Sequence, residues 1–445
     1  MKILWFTNHI MPELALTLGR RSEVVGGWMP SLLNAIRTAA GIELAIATKD
    51  PEVNDLSKHV INGVTYFRLP ASKQYDTKLQ SKFVDACTDA ISAYQPDIIH
   101  VHGTEDVYGL FTALPACTCP TVISIQGLIH VCSQHVMGGL KLGEFLSAGK
   151  TGLLAWLRYL LQEYQWANRG RSEQKIISGN NNFIGRTTWD KAHVLAVNPA
   201  AQYYYGGEVL RPEFYKSSWN IGNITRYTIF CTAAHSPLKG FHWLLQAVSL
   251  LRQEFPNIDV RIAGALWNEN KGFGYYGRFI KKLIDKYELS SHVTSLPSLG
   301  AKEVSEELRT AHVFVIPSLI ENSPNSLAEA MIVGTPSVAS FVGGIPSIID
   351  DGETALGFPS GDAAYLAYCI RCIFTDDALA QNLSEKAQTV AVKRHEPKDI
   401  VSRQLEIYRQ ILTAGKSNSI SLATNDVLAG TIDSGDLLTV HEQVP

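Results

Sequence analysis

The sequence predicts an α/β protein made of two doubly wound parallel-sheet domains. Short apolar runs rich in β-branched residues recur along the chain and alternate with segments of helical length. One polar, irregular stretch at residues 211–223 interrupts this alternation, and a second series of apolar runs follows it. The chain of 445 residues is long enough for about two domains of ordinary size.

Ten apolar runs are predicted to be buried strands. In the first half they are residues 2–7, 43–48, 97–102, 121–126 and 182–186. In the second half they are residues 225–232, 260–265, 292–296, 312–316 and 337–339. Because helix-length segments separate most of them, we expect right-handed crossover connections within parallel sheets.

The irregular stretch divides the chain into domains. We expect an N-terminal domain over residues 1–215 and a C-terminal domain over residues 216–395, with the linker inside 211–224. Residues 396–414 have a helical pattern and are expected to form a closing helix. Residues 415–445 are rich in Ser, Thr, Gly and Asp with little periodicity, so we expect a flexible tail.

Composition narrows the class of protein. Hydrophobic residues at 46% and charged residues at 18% are typical of a globular protein with ample core. A formal net charge of −3, without a basic stripe, argues against binding to nucleic acid. The seven cysteines are scattered and the N-terminus lacks the plan of a signal peptide, which together favour a reducing cytoplasm.

The most informative motif is the segment 321–329, with the sequence ENSPNSLAE. Glu321 follows a predicted strand, and ligands of open α/β sheets bind at the carboxyl ends of strands. From Ser326 the composition is helical, and Gly334 is expected to end that helix. Residues 323–326 would then form a first helical turn whose unpaired N–H groups face an anion. This geometry suits a nucleotide sugar.

This block resembles the E-x7-E motif of the family 4 glycosyltransferases, which are retaining enzymes of the GT-B fold. The similarity continues through residues 334–336, 343–346 and 351–354 in that family's order and spacing, and more weakly over most of residues 1–415. The resemblance implies two Rossmann-like domains facing across a cleft, with donor contacts mainly in the second domain. It also implies that the closing helix 396–414 crosses back to the first domain.

The resemblance assigns roles to individual residues. Lys239, in a lysine–glycine step after a predicted strand, would hold positive charge against the departing diphosphate. Glu321 would lie near the transferred sugar or its leaving oxygen, and Glu329 would accept hydrogen bonds from the ribose hydroxyls. The glycine-rich loop after the first strand and the first turn of the later helix would bind the donor. With Arg186, these donor contacts are Gly26, Gly27, Asn322, Ser323, Pro324, Asn325 and Ser326.

Two positions depart from the family pattern. Ala234 stands where the family usually has an arginine, and whether His235 or Arg186 supplies that charge stays open. Gln126 lies at the end of the fourth predicted strand, where relatives carry His-Asp or His-Gly. Gln126 and His130 are therefore the candidates beside the reacting sugar, with a structural role for His130 as the alternative.

Three functions stay open. The leading interpretation is a hexosyltransferase that moves a sugar, with retention, from a nucleotide-diphosphate sugar to a glycan or lipid-linked acceptor in surface polysaccharide or glycolipid biosynthesis. The alternatives are a GT-B nucleotide-sugar isomerase and a nucleotide-sugar-binding protein without transfer activity. No Asp-x-Asp triplet occurs, so we expect transfer without a metal ion or other cofactor.

Residues 137–165 are the segment least similar to the family. Their leucines and aromatic residues would form a wide apolar face if the segment is helical, but the segment is too short in apolar length to span a bilayer. Packing inside the N-terminal domain is the preferred expectation. The alternative is a peripheral contact at the inner face of the membrane, near a lipid-linked acceptor.

Overall fold

A computed structural model describes residues 1–20, 27–71, 78–146, 150–232, 235–264 and 274–429. These residues form two domains, each with one sheet between two layers of helices. The carboxyl ends of the two parallel sheets face each other, so the loops at those ends line a common cleft.

The described residues of the N-terminal domain form eight strands. They are β1 (Lys2–Thr7), β2 (Glu43–Asp50), β3 (Ser57–Ile61), β4 (Val64–Pro70), β5 (Ile98–His102), β6 (Thr121–Ser124), β7 (Asn182–Gly185) and β8 (Gln202–Tyr205). Their spatial order is β3-β4-β2-β1-β5-β6-β7-β8. All neighbours are parallel except β3 and β4, which form an antiparallel hairpin.

Within the described part of this domain, eight α-helices connect or cover these strands. They are α1 (Pro12–Thr17), α2 (Trp28–Ile36), α3 (Ser81–Tyr94), α4 (Tyr108–Thr112), α5 (Ile129–Cys132), α6 (Leu142–Leu146), α7 (Lys150–Gly179) and α8 (Thr188–Val197). Helix α8 begins with a capping box, in which the Thr187 side chain and Asp190 bind each other's backbone N–H groups.

In the C-terminal domain the described residues form six strands in the order β11-β10-β9-β12-β13-β14, all parallel. The strands are β9 (Thr228–Thr232), β10 (Asp259–Ala263), β11 (Val293–Ser295), β12 (Val313–Ile316), β13 (Ser337–Ser340) and β14 (Leu356–Phe358). The helices are α9 (Phe241–Leu251), α10 (Tyr275–Lys286), α11 (Ala301–Thr310), α12 (Asn325–Val333), α13 (Ala363–Thr375) and α14 (Asp377–Arg394).

Each of the ten predicted strands overlaps an observed strand, and four observed strands were not predicted. The hairpin β3–β4 turns at Asn62 and Gly63, which both have positive φ, as an Asn-Gly hairpin turn requires. This turn signal was present in the sequence. Strands β8 and β14 are only four and three residues long and lie at sheet edges, so their apolar pattern is weak.

The last helix, α15 (Pro397–Ala429), returns to the N-terminal domain. The ring of Tyr408 is fully buried there, and its hydroxyl lies 2.6 Å from His100 Nδ1. Ile411 joins the same apolar cluster, and a fully buried aliphatic side chain contributes roughly 1.5–3 kcal/mol. The helix is longer than predicted: it passes residue 414, so the first part of the expected flexible tail is helical. Residues 430–445 lie outside the described chain.

The segment 137–165 does not pack inside the N-terminal domain, contrary to the preferred expectation. One face of α7 packs on the C-terminal domain, where Ala155 belongs to that domain's apolar core. Just before α7, the ring of Phe145 stacks on Tyr275 with 4.7 Å between centroids. The reason is that α6 and the first part of α7 reach the C-terminal domain and bury their aromatic side chains against α10. Within the described residues, no helix is long and apolar enough to cross a membrane.

Candidate active site

Lys239 and Glu321 form an ion pair at the carboxyl ends of two neighbouring strands. Lys239 lies in the loop after β9 and Glu321 in the loop after β12, and Nζ is 2.5 Å from Oε1. Ser318 Oγ donates to the same carboxylate oxygen at 2.7 Å. The sequence predicted both residues of the pair but not their direct contact.

Glycine makes this contact sterically feasible. Gly240, directly after Lys239, has φ +69°, and a Cβ at this position would lie 1.9 Å from the carbonyl oxygen of Pro317. Any other residue would push the two loops apart. The lysine–glycine step therefore holds the ammonium group beside the loop that carries Glu321.

The second glycine motif supports the Glu321 loop from its other side. Gly343 has φ +52°, and a Cβ there would lie 2.0 Å from the Glu321 carbonyl oxygen. The next N–H, that of Gly344, donates to this same oxygen at 2.9 Å. The predicted similarity at residues 343–346 therefore has a structural purpose, which is to fix the backbone of Glu321.

The ammonium group of Lys239 remains charged at neutral pH. Burial acts to lower its pKa, but the charge and hydrogen bond of Glu321 outweigh burial, so the pKa of Lys239 lies above its ordinary value. An ammonium group has three N–H donors, and Glu321 accepts one of them. Within the part of the chain that the structure describes, the remaining donors are available to a phosphate oxygen.

Glu329 is buried on α12 and makes a bidentate ion pair with Arg211. Arg211 Nε and Nη2 donate to its two carboxylate oxygens, each at 2.9 Å. Burial raises the pKa of Glu329 to about 7, and the charge of Arg211 opposes the rise. Arg211 lies in the stretch between the domains and was not predicted as a site residue.

Gly27 packs against this ion pair. A Cβ on Gly27 would lie 2.9 Å from Arg211 Cδ. The glycine-rich loop of the N-terminal domain is thus brought to Glu329 of the C-terminal domain through Arg211. Gly26, which was predicted to share the role of Gly27, lies outside the described residues.

The first turn of α12 presents free backbone donors. Pro324 is the N-cap residue, and among the described residues no side chain caps the helix. The first N–H groups bonded to its carbonyl are those of Leu327 and Ala328, at 3.1 and 3.3 Å. The N–H groups of Asn325 and Ser326 precede these bonds and have no helical carbonyl to bind. Together with the preceding Ser323, this turn is the anion-binding geometry that the sequence predicted.

Asn322 links the two domains. Its amide nitrogen donates to Asp190 Oδ2 at 3.0 Å and to the Gln126 carbonyl at 3.2 Å. Its amide oxygen accepts from Thr187 Oγ1 at 2.8 Å. Asn322 is therefore committed to the capping box of α8 in the N-terminal domain, a role that was not predicted.

Arg186 is engaged within the N-terminal domain. Its guanidinium group pairs with Glu208 and donates to the carbonyl oxygens of Ile125 and Gln126, at 3.1 and 3.0 Å. Burial lowers the pKa of Arg186 to about 10. These contacts place it beside the loop after β6, so in this arrangement its charge faces Glu208. Ala234, the position of the missing family arginine, lies outside the described residues.

His130 is held by a buried carboxylate on α7. Glu173 Oε2 accepts from the His130 backbone N–H at 2.9 Å and lies 2.6 Å from Nδ1, while Thr104 Oγ1 donates to Oε1 at 2.6 Å. A neutral ring in this setting carries its proton on Nδ1 and presents Nε2 as an acceptor. Glu173 was not predicted.

Helix α5 carries a thiol that is close enough to the Lys239–Glu321 pair to be influenced by both charges. Burial raises the pKa of Cys132, two residues after His130, to about 12; the charge of Glu321 adds to this rise and that of Lys239 opposes it. The thiol therefore lies within electrostatic range of both charged side chains. The structure thus brings the His130 region and the donor-side charges to one cleft.

Gln126 contributes its backbone more than its side chain. Its carbonyl oxygen accepts from Arg186 and Asn322, as described above. The residue also lines a small cavity with His102 and Gln404, which offers a water molecule about 20 Å³ of room. Gln126 joins the loop after β6 to the other domain.

Within the described ranges, no three His, Cys, Asp or Glu side chains are grouped closely enough to hold a metal ion. Metal independence remains a prediction for experiment.

The C-terminal domain is similar to a known sequence family. Residues 218–390 match the family described as "Glycosyl transferases group 1". A D-inositol 3-phosphate glycosyltransferase of Pseudarthrobacter chlorophenolicus is 36% identical over 152 residues, which are 34% of this chain and 35% of that protein. The chain thus matches about a third of the length of this relative.

Solved structures resemble the whole fold. Sucrose-phosphate synthase of Thermosynechococcus elongatus has a TM-score of 0.69 at 19% identity, covering 93% of this chain and 100% of that chain. HepE of Anabaena, solved with UDP, has a TM-score of 0.63 at 15% identity, covering 92% and 100%. The predicted fold, two parallel-sheet α/β domains in the GT-B arrangement, is confirmed.

Proposed function

We propose that this protein is a retaining hexosyltransferase that moves a sugar from a nucleotide-diphosphate sugar to a glycan or lipid-linked acceptor. The observation that carries the proposal is the Lys239–Glu321 pair, held by Gly240 at the strand ends beside the open first turn of α12. A cation and aligned N–H groups at one point suit a diphosphate.

The donor would span the C-terminal side of the cleft. Its phosphates would meet the N–H groups at the start of α12 and the ammonium of Lys239. Its ribose would meet Glu329, whose carboxylate would exchange part of its contact with Arg211 for the two hydroxyls. The relatives support this assignment, since a matching protein is named a glycosyltransferase and HepE was solved with UDP.

Transfer would proceed at one face of the sugar. The bond between the anomeric carbon and the phosphate oxygen breaks, and the nucleoside diphosphate leaves with the electron pair. The acceptor hydroxyl forms the new bond from the same face and gives its proton to the departing oxygen. Lys239 would stabilise the charge that grows on that oxygen, and His130 would orient a sugar hydroxyl through Nε2.

We further propose a cytoplasmic role in the synthesis of a surface polysaccharide or glycolipid. The leucine-rich segment 137–165 over the cleft edge supports an acceptor with a lipid portion. The isomerase and the binding protein without transfer activity remain the alternatives that an experiment must separate.

A two-stage experiment tests the proposal. The change in melting temperature on adding nucleoside diphosphates or nucleotide-diphosphate sugars identifies the donor. Incubation with that donor and a polysaccharide or lipid extract should then release nucleoside diphosphate and place the sugar, with retained anomeric configuration by NMR, on an acceptor. Conversion of the donor without transfer would indicate the isomerase, and donor binding without any turnover would indicate the binding protein.

Transfer should persist in excess EDTA. The charge stabilisation assigned to Lys239 and to the helix N-terminus needs no divalent ion. The measurement is the initial rate after dialysis against EDTA, with and without added Mg²⁺ or Mn²⁺. Complete loss of the rate in EDTA, restored by either ion, would contradict metal independence.

A further inference from the structure

One face of helix α7 carries large apolar side chains into solvent. They are Leu153 (43% exposed), Leu154 (58%), Leu157 (48%), Leu160 (37%), Leu161 (55%) and Tyr164 (61%). At 100° per residue these positions fall within one stripe along the helix, about 16 Å long. We name these six residues the leucine stripe. Scattered apolar residues are normal on a protein surface, but a continuous stripe marks an interaction surface.

The opposite face of α7 is packed on the protein and so holds the leucine stripe towards solvent. Ala155 is buried in the core of the C-terminal domain, and Trp156 and Tyr159 pack against that core. The ring of Tyr159 lies edge-on to Phe145 and Tyr275, at centroid distances of 5.8 and 6.3 Å. Because this face is packed, the helix cannot rotate to bury its leucines without losing those contacts.

Basic side chains border the stripe. A groove of about 400 Å³ runs between α7 and α10, and both Arg158 and Arg278 line it together with Leu154. The outer face of α10 continues with the exposed residues Lys281, Lys282, Asp285 and Lys286. Four cations, counting Arg278, and one anion give this face a net charge of +3.

We propose that the leucine stripe and its basic border dock the protein on a membrane surface that contains anionic lipid. An interfacial helix with leucines on one face and arginine or lysine beside them is the arrangement that binds such surfaces. The leucines would enter the boundary between headgroups and acyl chains, and the arginines would meet lipid phosphates. Docking on the membrane does not depend on the proposed function. Only its purpose, which is to bring the cleft to a lipid-linked acceptor, rests on that function.

A second copy of the chain fits the same surface less well. A symmetric contact through the stripe would place Arg158 near the Arg158 of the other copy, and like charges repel. One helix face, roughly 10 Å wide and 16 Å long, is also much smaller than the roughly 800 Å² per partner that a stable interface buries. An anionic bilayer removes both difficulties.

The test is co-sedimentation with vesicles in the absence of any donor, so that its result is separate from that of the transfer assay. The full chain should bind vesicles of phosphatidylglycerol and phosphatidylcholine, and bind pure phosphatidylcholine more weakly. Leu157→Ser with Leu161→Ser should lower the partition coefficient at least about tenfold. Arg158→Glu with Arg278→Glu should remove the preference for anionic vesicles.

A matched control is available. Leu250 and Val60 are 61% and 66% exposed on other elements, so Leu250→Ser with Val60→Ser removes similar apolar surface elsewhere. This variant should bind vesicles like the wild type. Equal binding of the stripe variant and the wild type would overturn the proposal, as would absence of binding by the wild type. A dimer that the stripe variant dissociates, without vesicle binding, would assign the surface to a second copy instead.

Discussion

At the scale of single residues, the charge on Lys239 is the feature closest to the proposed chemistry. The diphosphate becomes more negative as the glycosidic bond lengthens, so this charge should matter more in the transition state than in the bound ground state. Lys239→Ala should lower kcat by roughly 10²–10³, and Lys239→Arg should recover only part of the loss. Steady-state transfer measures both.

The Lys239–Glu321 contact determines which control measurements that prediction needs. The Glu321 carboxylate accepts hydrogen bonds from Lys239 and from Ser318, so removing Lys239 leaves it with the Ser318 bond. Circular dichroism and the donor Kd therefore have to accompany the kinetics. A folded Lys239→Ala protein that binds donor and keeps a near-normal kcat would show that another cation stabilises the leaving group.

Glu329 gives a second prediction at this scale. Glu329→Ala removes a charged acceptor from the ribose and leaves Arg211 without its bidentate partner. Donor binding should weaken by about 1.5–3 kcal/mol, which is roughly 10- to 150-fold in Kd. Calorimetric titration with the donor measures the change.

Two further variants separate donor binding from domain structure. Arg211→Ala removes the ion pair but keeps the carboxylate, so it should affect the donor Kd much less than Glu329→Ala. Glu353→Ala changes an exposed glutamate in the same domain and should leave Kd unchanged. Equal losses in Glu329→Ala and Arg211→Ala would mean that Glu329 serves the ion pair and not the ribose.

At the scale of elements, α7 positions α5. Gly170 of α7 lies against His130, since a Cβ at position 170 would lie 2.6 Å from His130 Cα. One helical turn later, Glu173 binds both the backbone and the ring of His130. A four-residue helix such as α5 has too few internal hydrogen bonds to be stable alone, so its place depends on α7.

Gly170→Ala should therefore lower kcat and the melting temperature while leaving the donor Kd nearly unchanged. An added methyl group normally stabilises a helix by about 1 kcal/mol relative to glycine, but here it must displace the α5 backbone. Gly143→Ala is the matched control, because a Cβ on Gly143 of α6 meets nothing within 4 Å. Transfer kinetics and thermal melting of both variants decide. Wild-type kcat in a folded Gly170→Ala protein would contradict the positioning role of α7.

The same elements show what could be predicted from the sequence. Lys239, Glu321 and the first turn of α12 were predictable because each follows a strand within a local motif. The partners of Glu329 and His130 were not predictable. Arg211 and Glu329 are 118 positions apart in the sequence, and Glu173 and His130 are 43 apart. Asn322 and Asp190 are 132 apart. Such pairs depend on how helices, strands and loops pack in the folded chain. The periodicity of a single sequence predicts local elements but not contacts between distant ones. The packing of residues 137–165 inside the N-terminal domain was mispredicted for the same reason.

At the scale of the whole molecule, contacts between the domains join both halves of the cleft. His242 Nε2 of α9 lies 3.0 Å from the Gly138 carbonyl oxygen in the N-terminal domain. On the far side of the cleft, Arg394 donates to the carbonyl oxygens of Ser347 and Arg186, at 2.7 and 3.0 Å. With the Asn322 contacts, these bonds hold the donor-side loops against the N-terminal domain.

Buried histidines in both domains link this packing to pH. Burial lowers the pKa of His102 and His395 to about 3 and that of His242 and His312 to about 4, and it also lowers the pKa of His100. These five rings stay neutral in the folded protein at pH values where an unfolded histidine is protonated. Two carboxyl groups act in the opposite sense. Burial raises the pKa of Glu105 and of Glu329 to about 7.

Stability should therefore fall as the pH is lowered from about 6.5 towards 5. In this range unfolding lets five histidines take up protons and two glutamates release them, a net uptake of three for these seven groups. Each net proton taken up lowers the free energy of unfolding by about 1.4 kcal/mol for each pH unit of acidification.

His312→Asn should reduce the slope of stability against pH. An amide oxygen can replace Nδ1 as acceptor for the Tyr227 N–H at 3.2 Å, and an amide does not titrate. Thermal melting of the wild type and of His312→Asn from pH 7.5 to 5 measures the slope, and a melting temperature that stays level or rises on acidification would show that the buried rings do not control the acid response.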